Sequence, residues 1–340
     1  MTTERESLLG KLKSSCLFFV LLTFCFMIGL AVVTAALSQI GEGEGGIIES
    51  SSDQHDQESS AIAVISLSGV MLRGSDGVNE GITQDLLRML KRANNDTKIK
   101  GVLIRLNTPG GSVTDADLVY HEIKQLLSQD KPVLLLMDDT CASGGFYASL
   151  AATEVWALPT TITGSIGVIV SGLNFSKLLN EHGIIDQSIT SGPNKALLSA
   201  TAPPNDAHRE ILKGIVDQLY QRFVSLLVEA RKLKQEEALA LADGRVYTAQ
   251  EALNHKLIDQ IGYPEDAIKR LKELSGLETK ARVVRYHIPK SLFSRFSSAL
   301  DLSSSNVTST LEMALEGPKA YYLYAPQGLA WRVLRLLQSH

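Results

Sequence analysis

Cysteine is scarce in this chain of 340 residues, and positive charge is not in excess. The three cysteines are Cys16, Cys25 and Cys141, and the first two lie in a long apolar run, so no disulfide framework is indicated. No cysteine–histidine cluster has metal-ligand spacing, and we expect neither a metal nor a cofactor. A formal net charge of −4 gives no electrostatic reason to expect a nucleic-acid partner. With 44% hydrophobic residues, the chain can still form a packed core.

Charged residues are also missing from residues 14–41. Within this stretch, Cys16–Leu37 is apolar and long enough to cross a hydrocarbon layer of about 30 Å, which predicts one transmembrane helix. A cleaved signal peptide is the alternative, but the run exceeds the roughly 7–15 residues of a signal-peptide core. Arg5, Lys11 and Lys13 precede the span and acidic residues follow it, so the positive-inside rule predicts a cytoplasmic N-terminus. We therefore expect a single-pass protein of the inner (plasma) membrane whose folded part lies outside the cytoplasm.

The composition divides the whole chain into five segments. Residues 1–15 form the predicted cytoplasmic N-terminus, and residues 16–37 form the membrane anchor. Residues 38–60 are rich in glycine, serine and acidic side chains, which is typical of a flexible linker. Residues 61–290 contain the predicted folded domain. Residues 291–340 form a tail whose apolar-basic end is open to three interpretations: a membrane helix, a packing helix, or a segment that occupies a neighbour's groove.

Within the predicted domain, short apolar runs alternate with segments of helical periodicity. The predicted strands are Ile62–Leu67, Val102–Leu106, Val133–Met137, Glu154–Leu158 and Arg282–Ile288. The main predicted helices are Ile82–Asn94, Thr114–Gln129 and Asn205–Leu233, the last with Asn205 or Asp206 as its N-cap. Strands separated by helices predict an α/β fold, in which crossover helices connect the strands of a parallel sheet.

Two glycine-rich segments each follow a predicted strand. Residues 107–112 read NTPGGS, and a Pro-Gly-Gly turn between a strand and a helix can point N–H groups at a developing negative charge. An ordinary tight turn is the alternative. Residues 139–147 read DTCASGGFY, which places Ser143 at a helix N-terminus, where free N–H groups favour an oxyanion. A simple N-cap role for Ser143 is the alternative.

A third segment is a polar loop that leads into an apolar stretch. Residues 190–195 read TSGPNK and are followed by ALLSATAPP. A lysine can accept a proton only when it is neutral, and burial among apolar groups lowers the pKa of a lysine amine. Lys195 is therefore a candidate general base, and a solvated surface lysine is the alternative.

Together the three segments resemble the signal peptide peptidase A family of Ser-Lys proteases. The resemblance runs from Ile62 to Gly262 and rests on IRLNTPGGS, ASGGFYAS, TITGSIGVI, SGPNK and DGRVYTAQEA, which occur in that order. It implies a Clp/crotonase-like fold. It also implies a membrane-anchored serine endopeptidase that degrades remnant signal peptides, with Ser143 as nucleophile and Lys195 as general base.

The same resemblance implies the groups that support this pair. Gly144 and one glycine of the NTPGGS turn are the implied oxyanion donors, and the choice between Gly110 and Gly111 stays open. Ser165, in TITGSIG, is implied to orient the lysine amine. The implied reaction is acyl transfer to the serine, followed by hydrolysis of the acyl-enzyme.

The resemblance further implies an assembly. Relatives in this family often carry two tandem copies of the domain, whereas this chain carries one. We therefore expect a homo-oligomer in which the serine and the lysine come from one protomer or from adjacent protomers. Peptides and the membrane are the other expected partners.

Three other functions are compatible with parts of the sequence. The first is a Clp-like Ser-His-Asp protease, for which the candidate bases are His55, His121, His182, His208, His255, His287 and His340. His182 reads as a helix C-terminus, and its context differs from that of a Clp histidine. The second is a crotonase-like acyl-CoA enzyme, which the predicted extracytoplasmic placement disfavours. The third is a non-catalytic membrane scaffold with a crotonase fold.

Overall fold

The computed structural model describes residues 47–51, 59–73, 82–288 and 320–323. The chain separates into two compact units, residues 1–47 and residues 48–340, and the sheet belongs to the second. The predicted membrane anchor at Cys16–Leu37 lies outside the described residues, as does most of the predicted tail. In the part of the chain that the structure describes, no helix is both long enough and apolar enough to cross a membrane.

The described residues form an alternating series of strands and helices. The strands are β1 (Ile48–Ser51), β2 (Ala61–Ser68), β3 (Ile99–Thr108), β4 (Gly110–Ser112), β5 (Val133–Ala142), β6 (Glu154–Ala157), β7 (Ile162–Gly164), β8 (Ile169–Val170), β9 (Val246–Thr248), β10 (Gln260–Ile261), β11 (Arg282–His287) and β12 (Ala320–Leu323). The helices are α1 (Ile82–Asn95), α2 (Val113–Leu127), α3 (Gly144–Ser149), α4 (Ser176–Glu181), α5 (Asp206–Arg231), α6 (Gln235–Leu241), α7 (Ala249–Asn254) and α8 (Pro264–Leu274).

The main sheet is mostly parallel, which confirms the predicted α/β class. Its strand order is β1-β11-β2-β3-β5-β6-β10, and β7 pairs with both β5 and β9. Every pairing from β11 through β10 is parallel, as is the pairing of β7 with β5. The strands β1 and β9 join antiparallel. β1 lies inside residues 38–60, so a stretch that composition predicted as linker contributes an edge strand.

The central strands are buried on both faces, which explains their continuous apolar sequences. Leu134 and Leu136 of β5 pack with Leu271 of α8 in one cluster. Leu135 and Met137 alternate with them, so they face the opposite side of the sheet, and they are also fully buried. Helices therefore cover both faces, and only the edges where strands end remain available for a site.

Helix α5 extends beyond the part of the domain on which it packs. Its N-cap is Asn205, whose side chain accepts hydrogen bonds from two backbone N–H groups of the first turn, as predicted. Its buried residues are Phe223, Val224 and Leu227, all in its second half. The first half exposes Ile211 and Ile215. Only the C-terminal part of α5 is thus packed on the sheet domain.

A second, smaller sheet contains the one strand described in the tail. β12 lies between β4 and β8 and is antiparallel to both. Gly111 of β4 is in register with Tyr322, and Val170 of β8 is in register with Ala320. No pattern in the sequence predicted this strand.

Candidate active site

The candidate site lies where β3, β5 and β7 end. These strands are parallel neighbours, with Cys141 paired to Thr108 on one side and to Thr163 on the other. Because the carboxyl ends of parallel strands meet at one edge, the NTPGGS turn, Ser143 and Ser165 all emerge there. The structure thus brings two of the three predicted segments together with the TITGSIG segment.

Ser143 stands between β5 and α3 in a backbone conformation that serines rarely adopt. Its φ is 55° and its ψ is −111°, and its side chain makes no capping hydrogen bond to α3. The backbone N–H of Ser143 donates to the carbonyl of Gly164 at 2.7 Å, and the residue is only 1% exposed. Such strain costs about 1–3 kcal/mol and persists only where surrounding structure enforces it. The geometry therefore gives no support to the alternative in which Ser143 is a simple N-cap.

The glycine after Ser143 allows two loops to touch backbone to backbone. A Cβ on Gly144 would lie 3.2 Å from the nitrogen of Gly111 and 3.3 Å from the Cα of Gly110. A Cβ on Gly145 would lie 2.5 Å from a methyl carbon of Thr108. A side chain at Gly145 would therefore force a neighbour to move, and one at Gly144 would be a tight fit, because the N-terminus of α3 lies directly against β4.

The N–H groups of the Pro-Gly-Gly turn point in different directions. The N–H of Gly110 donates to Thr108 Oγ1 at 3.1 Å. The Gly110 carbonyl accepts from the Met71 N–H, and the Ser112 N–H donates to the Met71 carbonyl. Because successive residues of a strand direct their polar groups to opposite sides, the N–H of Gly111 faces away from Met71. It faces the side on which β12 lies.

Ser165 lies next to Ser143 at the same sheet edge. It directly follows β7, whose last residue, Gly164, accepts the hydrogen bond from the Ser143 N–H. Ser165 has a φ of 51°, is 9% exposed, and donates its N–H to the carbonyl of Arg245 at 2.7 Å. Two serines with positive φ therefore end adjacent strands, and both are largely buried.

Lys195 is exposed and is not joined to this group. Its backbone N–H donates to the Gly192 carbonyl at 3.1 Å within a turn. Among the described residues, its amine has no hydrogen-bond or ion-pair partner, and neither Ser143 nor Ser165 contacts it through a hydrogen bond. A single chain therefore assembles the predicted serine and glycines but leaves the predicted base in solvent.

No described histidine takes the place of Lys195. The described histidines, His121, His182, His208, His255 and His287, are exposed or half-buried. Over the same described ranges, none of them hydrogen-bonds to Ser143. His182 is the C-cap of α4, as predicted. This geometry gives no support to a Ser-His-Asp site.

Two further reactive side chains, Cys141 next to the site and Lys131 at the far end of β5, have structural rather than catalytic environments. Burial raises the pKa of the Cys141 thiol, with a smaller effect from Asp138, so Cys141 stays protonated. Lys131 is buried, but it precedes β5, at the opposite end of that strand from Ser143. Its amine donates to the backbone carbonyls of Ala93, Asn94 and Asp96. Over the described ranges, no group of three or more His, Cys, Asp or Glu is placed to hold a metal ion.

No sequence pattern predicted two further contacts near the site. His208 Nε2 lies 2.7 Å from the carbonyl of Pro193, in the loop that contains Lys195. The side chains of Asp117, Tyr147 and Arg222 form a hydrogen-bonded cluster. Asp117 and Arg222 are 105 positions apart, so no local periodicity could pair them.

Peptidase family S49 matches residues 125–278. The putative signal peptide peptidase SppA of Enterococcus faecium is 37% identical over 203 residues, which cover 60% of this chain and 59% of that protein. The putative protease slr0021 of Synechocystis is 35% identical over 219 residues, covering 64% of this chain and 78% of that protein.

This chain is also similar to a plant protein and to a solved structure. The chloroplastic serine protease SPPA of Arabidopsis thaliana is 31% identical over 238 residues, covering 69% of this chain and 35% of that protein. The matched region therefore spans between about a third and about four fifths of these relatives. A point mutant of ClpP1 from Listeria monocytogenes superposes with a TM-score of 0.41 at 18% identity, over 61% of this chain and 94% of that chain.

Proposed function

This chain belongs to peptidase family S49, and on that premise we propose that it is a serine endopeptidase with Ser143 as its nucleophile. The observation that carries the proposal is the strained, uncapped Ser143 at the start of α3, packed against the Pro-Gly-Gly turn. Strain of this kind concentrates at active sites, and a serine on a sharp strand-to-helix turn is a known arrangement for a nucleophile.

The oxyanion donors in this proposal are the N–H groups of Gly144 and Gly111. The N–H of the residue after the nucleophile is a common donor, and Gly144 begins α3, where the helix dipole adds to its effect. Gly111 is favoured over Gly110 because the Gly110 N–H already donates to Thr108. Loss of one oxyanion donor typically slows an acyl-transfer enzyme about 10²–10³-fold.

The proposed reaction is acyl transfer with Lys195 as the base. The neutral amine of Lys195 removes the proton from Ser143 Oγ, and the oxygen attacks a peptide carbonyl carbon. The tetrahedral oxyanion collapses, the C–N bond breaks, and Lys195 returns the proton to the leaving amine. Lys195 then removes a proton from water, the hydroxide attacks the ester carbonyl, the ester C–O bond breaks, and Lys195 returns the proton to Ser143 Oγ. Ser165 is proposed to orient the amine, because it lies beside Ser143.

A serine-directed fluorophosphonate probe tests this function. The full-length protein should be labelled at Ser143, and Ser143→Ala should not be labelled. An acyl-CoA enzyme or a non-catalytic scaffold predicts no labelling of either protein. Peptide cleavage, measured on the same samples, should disappear with the label, and cleavage that survives in Ser143→Ala would refute the proposal.

We propose that the site is completed in a homo-oligomer. A base must be shielded from water to be neutral, whereas Lys195 is exposed in the single chain. The segment from Ile169 to Ile215, which contains Lys195, exposes many large apolar side chains: Ile169, Leu173, Phe175, Leu178, Ile184, Ile185, Ile189, Leu198, Ile211 and Ile215. Exposed apolar surface on this scale is typical of protein–protein interfaces. A neighbouring protomer that covers it would also desolvate Lys195.

Subunit complementation tests the assembly. Ser143→Ala and Lys195→Ala should each be inactive alone. If the site spans two protomers, mixed assemblies should recover part of the wild-type rate, because some interfaces pair an intact serine with an intact lysine. Mixed assemblies that form but stay inactive would place both residues in one chain. An active monomer would contradict the assembly itself.

The groove between β4 and β8 is the proposed site for the peptide. β12 lies in this groove as an added antiparallel strand, and its partner β4 carries Gly111. A substrate that binds in the same way would pass the Pro-Gly-Gly turn and Ser143 in extended form. Only unfolded peptides can bind so. One relative is named a signal peptide peptidase, and we propose remnant signal peptides as the substrates.

The proposed substrates agree with the sequence-based localisation. Remnant signal peptides lie in or beside the membrane, and Cys16–Leu37 would anchor the enzyme there as a single-pass protein of the inner membrane. The fold we propose is of the Clp/crotonase type, because its parallel strands end at loops that supply two backbone N–H donors. Fractionation of cells with and without residues 16–37 would test the anchor.

A further inference from the structure

Two side chains from two different helices converge on one carboxylate oxygen of a third helix. The hydroxyl of Tyr147 donates to Asp117 Oδ1 at 2.6 Å. Arg222 donates to the same oxygen from Nη2 at 2.6 Å and from Nε at 3.2 Å. Nε of Arg222 also donates to the Tyr147 oxygen at 3.0 Å. The three groups therefore form a closed triangle of hydrogen bonds, and each side is charge-assisted because it includes the Asp117 carboxylate or the Arg222 guanidinium.

Each of the three helices begins just after one segment of the candidate site. Asp117 lies in the second turn of α2, which directly follows β4 and the Pro-Gly-Gly turn. Tyr147 lies in α3, which directly follows Ser143. Arg222 lies in α5, which follows the loop that contains Lys195. One cluster thus connects the oxyanion, nucleophile and base segments.

Aromatic side chains pack against Tyr147 and support the cluster. Tyr147 is fully buried, and its ring lies 5.0 Å from the ring of Phe223, the residue after Arg222. The ring of Tyr120 in α2 lies 5.7 Å from Tyr147 on another side. Both contacts are edge-on, the arrangement that aromatic pairs prefer. The ring packing positions the helices against each other, and the hydrogen bonds fix their rotation.

Helix α5 connects the cluster to the loop that contains Lys195, called here the lysine loop, so the position of the cluster affects the position of that loop. Arg222 lies 16 residues after Asp206, the first residue of α5, which corresponds to about 24 Å along the axis. At that far end, His208 Nε2 donates to the carbonyl of Pro193, two residues before Lys195. A tilt of about 5° at the cluster would therefore move the loop by about 2 Å. Misplacement by about 1 Å can cost an enzyme about 10²-fold in rate.

We propose that Asp117, Tyr147 and Arg222 are positioning residues that set the lysine loop relative to the nucleophile and the oxyanion donors. The proposal rests on the proposed peptidase function. It holds whether Lys195 serves the serine of its own chain or that of a neighbour, because in either case α5 carries the loop. None of the three residues touches the substrate in this scheme.

The electrostatics of the cluster keep Asp117 ionised. Burial by itself raises the pKa of the Asp117 carboxyl, but hydrogen bonds from Tyr147 and Arg222 outweigh it and leave the pKa lowered. The pKa of Arg222 is raised, chiefly by its hydrogen bond to Asp117. Both partners remain charged at any pH at which the enzyme is assayed, so the ion pair persists over that range.

Arg222→Ala, in the full-length assembled protein, is the main test. We expect kcat to fall about 10–100-fold while KM changes less than about threefold, because the loop is misplaced but the groove is intact. Fluorophosphonate labelling of Ser143 should slow in parallel. Tyr147→Phe keeps the buried ring and removes only the hydroxyl, and it should lower kcat about 3–10-fold. Arg222→Ala added to Tyr147→Phe should cost less than the two effects combined.

Arg231→Ala is the matched control from the same helix. Arg231 also forms an ion pair, with Asp259, but at the end of α5 away from the site. It should lower thermal stability without changing kcat. Equal losses of kcat in the Arg222 and Arg231 variants, or a folded Tyr147→Phe with wild-type kcat and labelling rate, would refute the positioning role. Wild-type protein that takes no label would instead refute the proposed function.

Discussion

The candidate site has two halves, and they differ in how firmly the chain holds them. The sheet-edge half contains Ser143, Gly111 and Ser165, which are held by backbone hydrogen bonds between neighbouring strands and loops. The loop half contains Lys195 in a turn, with Ile189 nearby at 98% exposure. One half lies against the core of the domain, and the other lies on its surface.

One chain alone therefore fixes the sheet-edge half in position and leaves the loop half incomplete. Sheet hydrogen bonds are obligatory for buried backbone, so the sheet-edge half is fixed as soon as the domain folds. A loop held by turns and by a few side-chain bonds has no such constraint. Variants in the sheet-edge half should therefore affect the chemical step directly. Variants in the loop half should act through the base and its burial.

Ser143→Ala should have the largest effect. Loss of the nucleophile removes the covalent pathway, and we expect peptide hydrolysis to fall by about 10³-fold or more. Because Ser143 makes no capping bond, the free energy of unfolding should change by less than about 1 kcal/mol. Peptide hydrolysis and thermal unfolding measure the two quantities. Ser128→Ala, on an exposed helix end, is the control and should keep full activity.

Lys195→Arg should be nearly as inactive as Lys195→Ala. Arginine stays charged at every workable pH and cannot accept the serine proton. Peptide hydrolysis by the wild type and the two variants tests this. Lys177→Arg, which changes an exposed lysine on α4, should keep wild-type activity, and an active Lys195→Arg would exclude a lysine base.

A pair of glycine variants compares the two halves directly. A Cβ on Gly111 would collide with the backbone of Met71, whereas a Cβ on Gly192 would meet nothing within 4 Å. Gly111→Ala should therefore lower kcat about 10–100-fold and destabilise the domain by about 1–3 kcal/mol. Gly192→Ala should change kcat less than about twofold. Similar losses in both variants would show that the two halves are equally constrained.

Removal of the tail should have the smallest effect, and in the opposite direction. Deletion of residues 289–340 removes β12 and should open the groove between β4 and β8. We expect kcat/KM for short peptides to rise about 3–10-fold, mainly through a lower KM. Tyr322→Pro tests the same idea in the full-length chain, because proline cannot donate to the ladder. Unchanged KM in both proteins would mean that β12 does not compete with substrate.

The local sequence predicted the main strands and helices of this fold and singled out most of the candidate residues. Continuous runs such as VLIRL and VLLLM predicted the buried parallel strands, and helical periodicity predicted α1, α2 and α5 within two residues at each end. The glycine pairs after β3 and β5 marked the loops that meet at the sheet edge. These signals are local, since they depend on propensity and on alternation within a few residues.

Long-range geometry decided the rest. Nothing local predicts that β12 pairs with β4, because Tyr322 and Gly111 are distant in sequence and a short strand needs a partner to form. The strain at Ser143 and the exposure of Lys195 also became visible only in three dimensions. The triangle of Asp117, Tyr147 and Arg222 joins residues up to 105 positions apart. Such contacts depend on how helices pack, and helix packing is a property of the assembled chain.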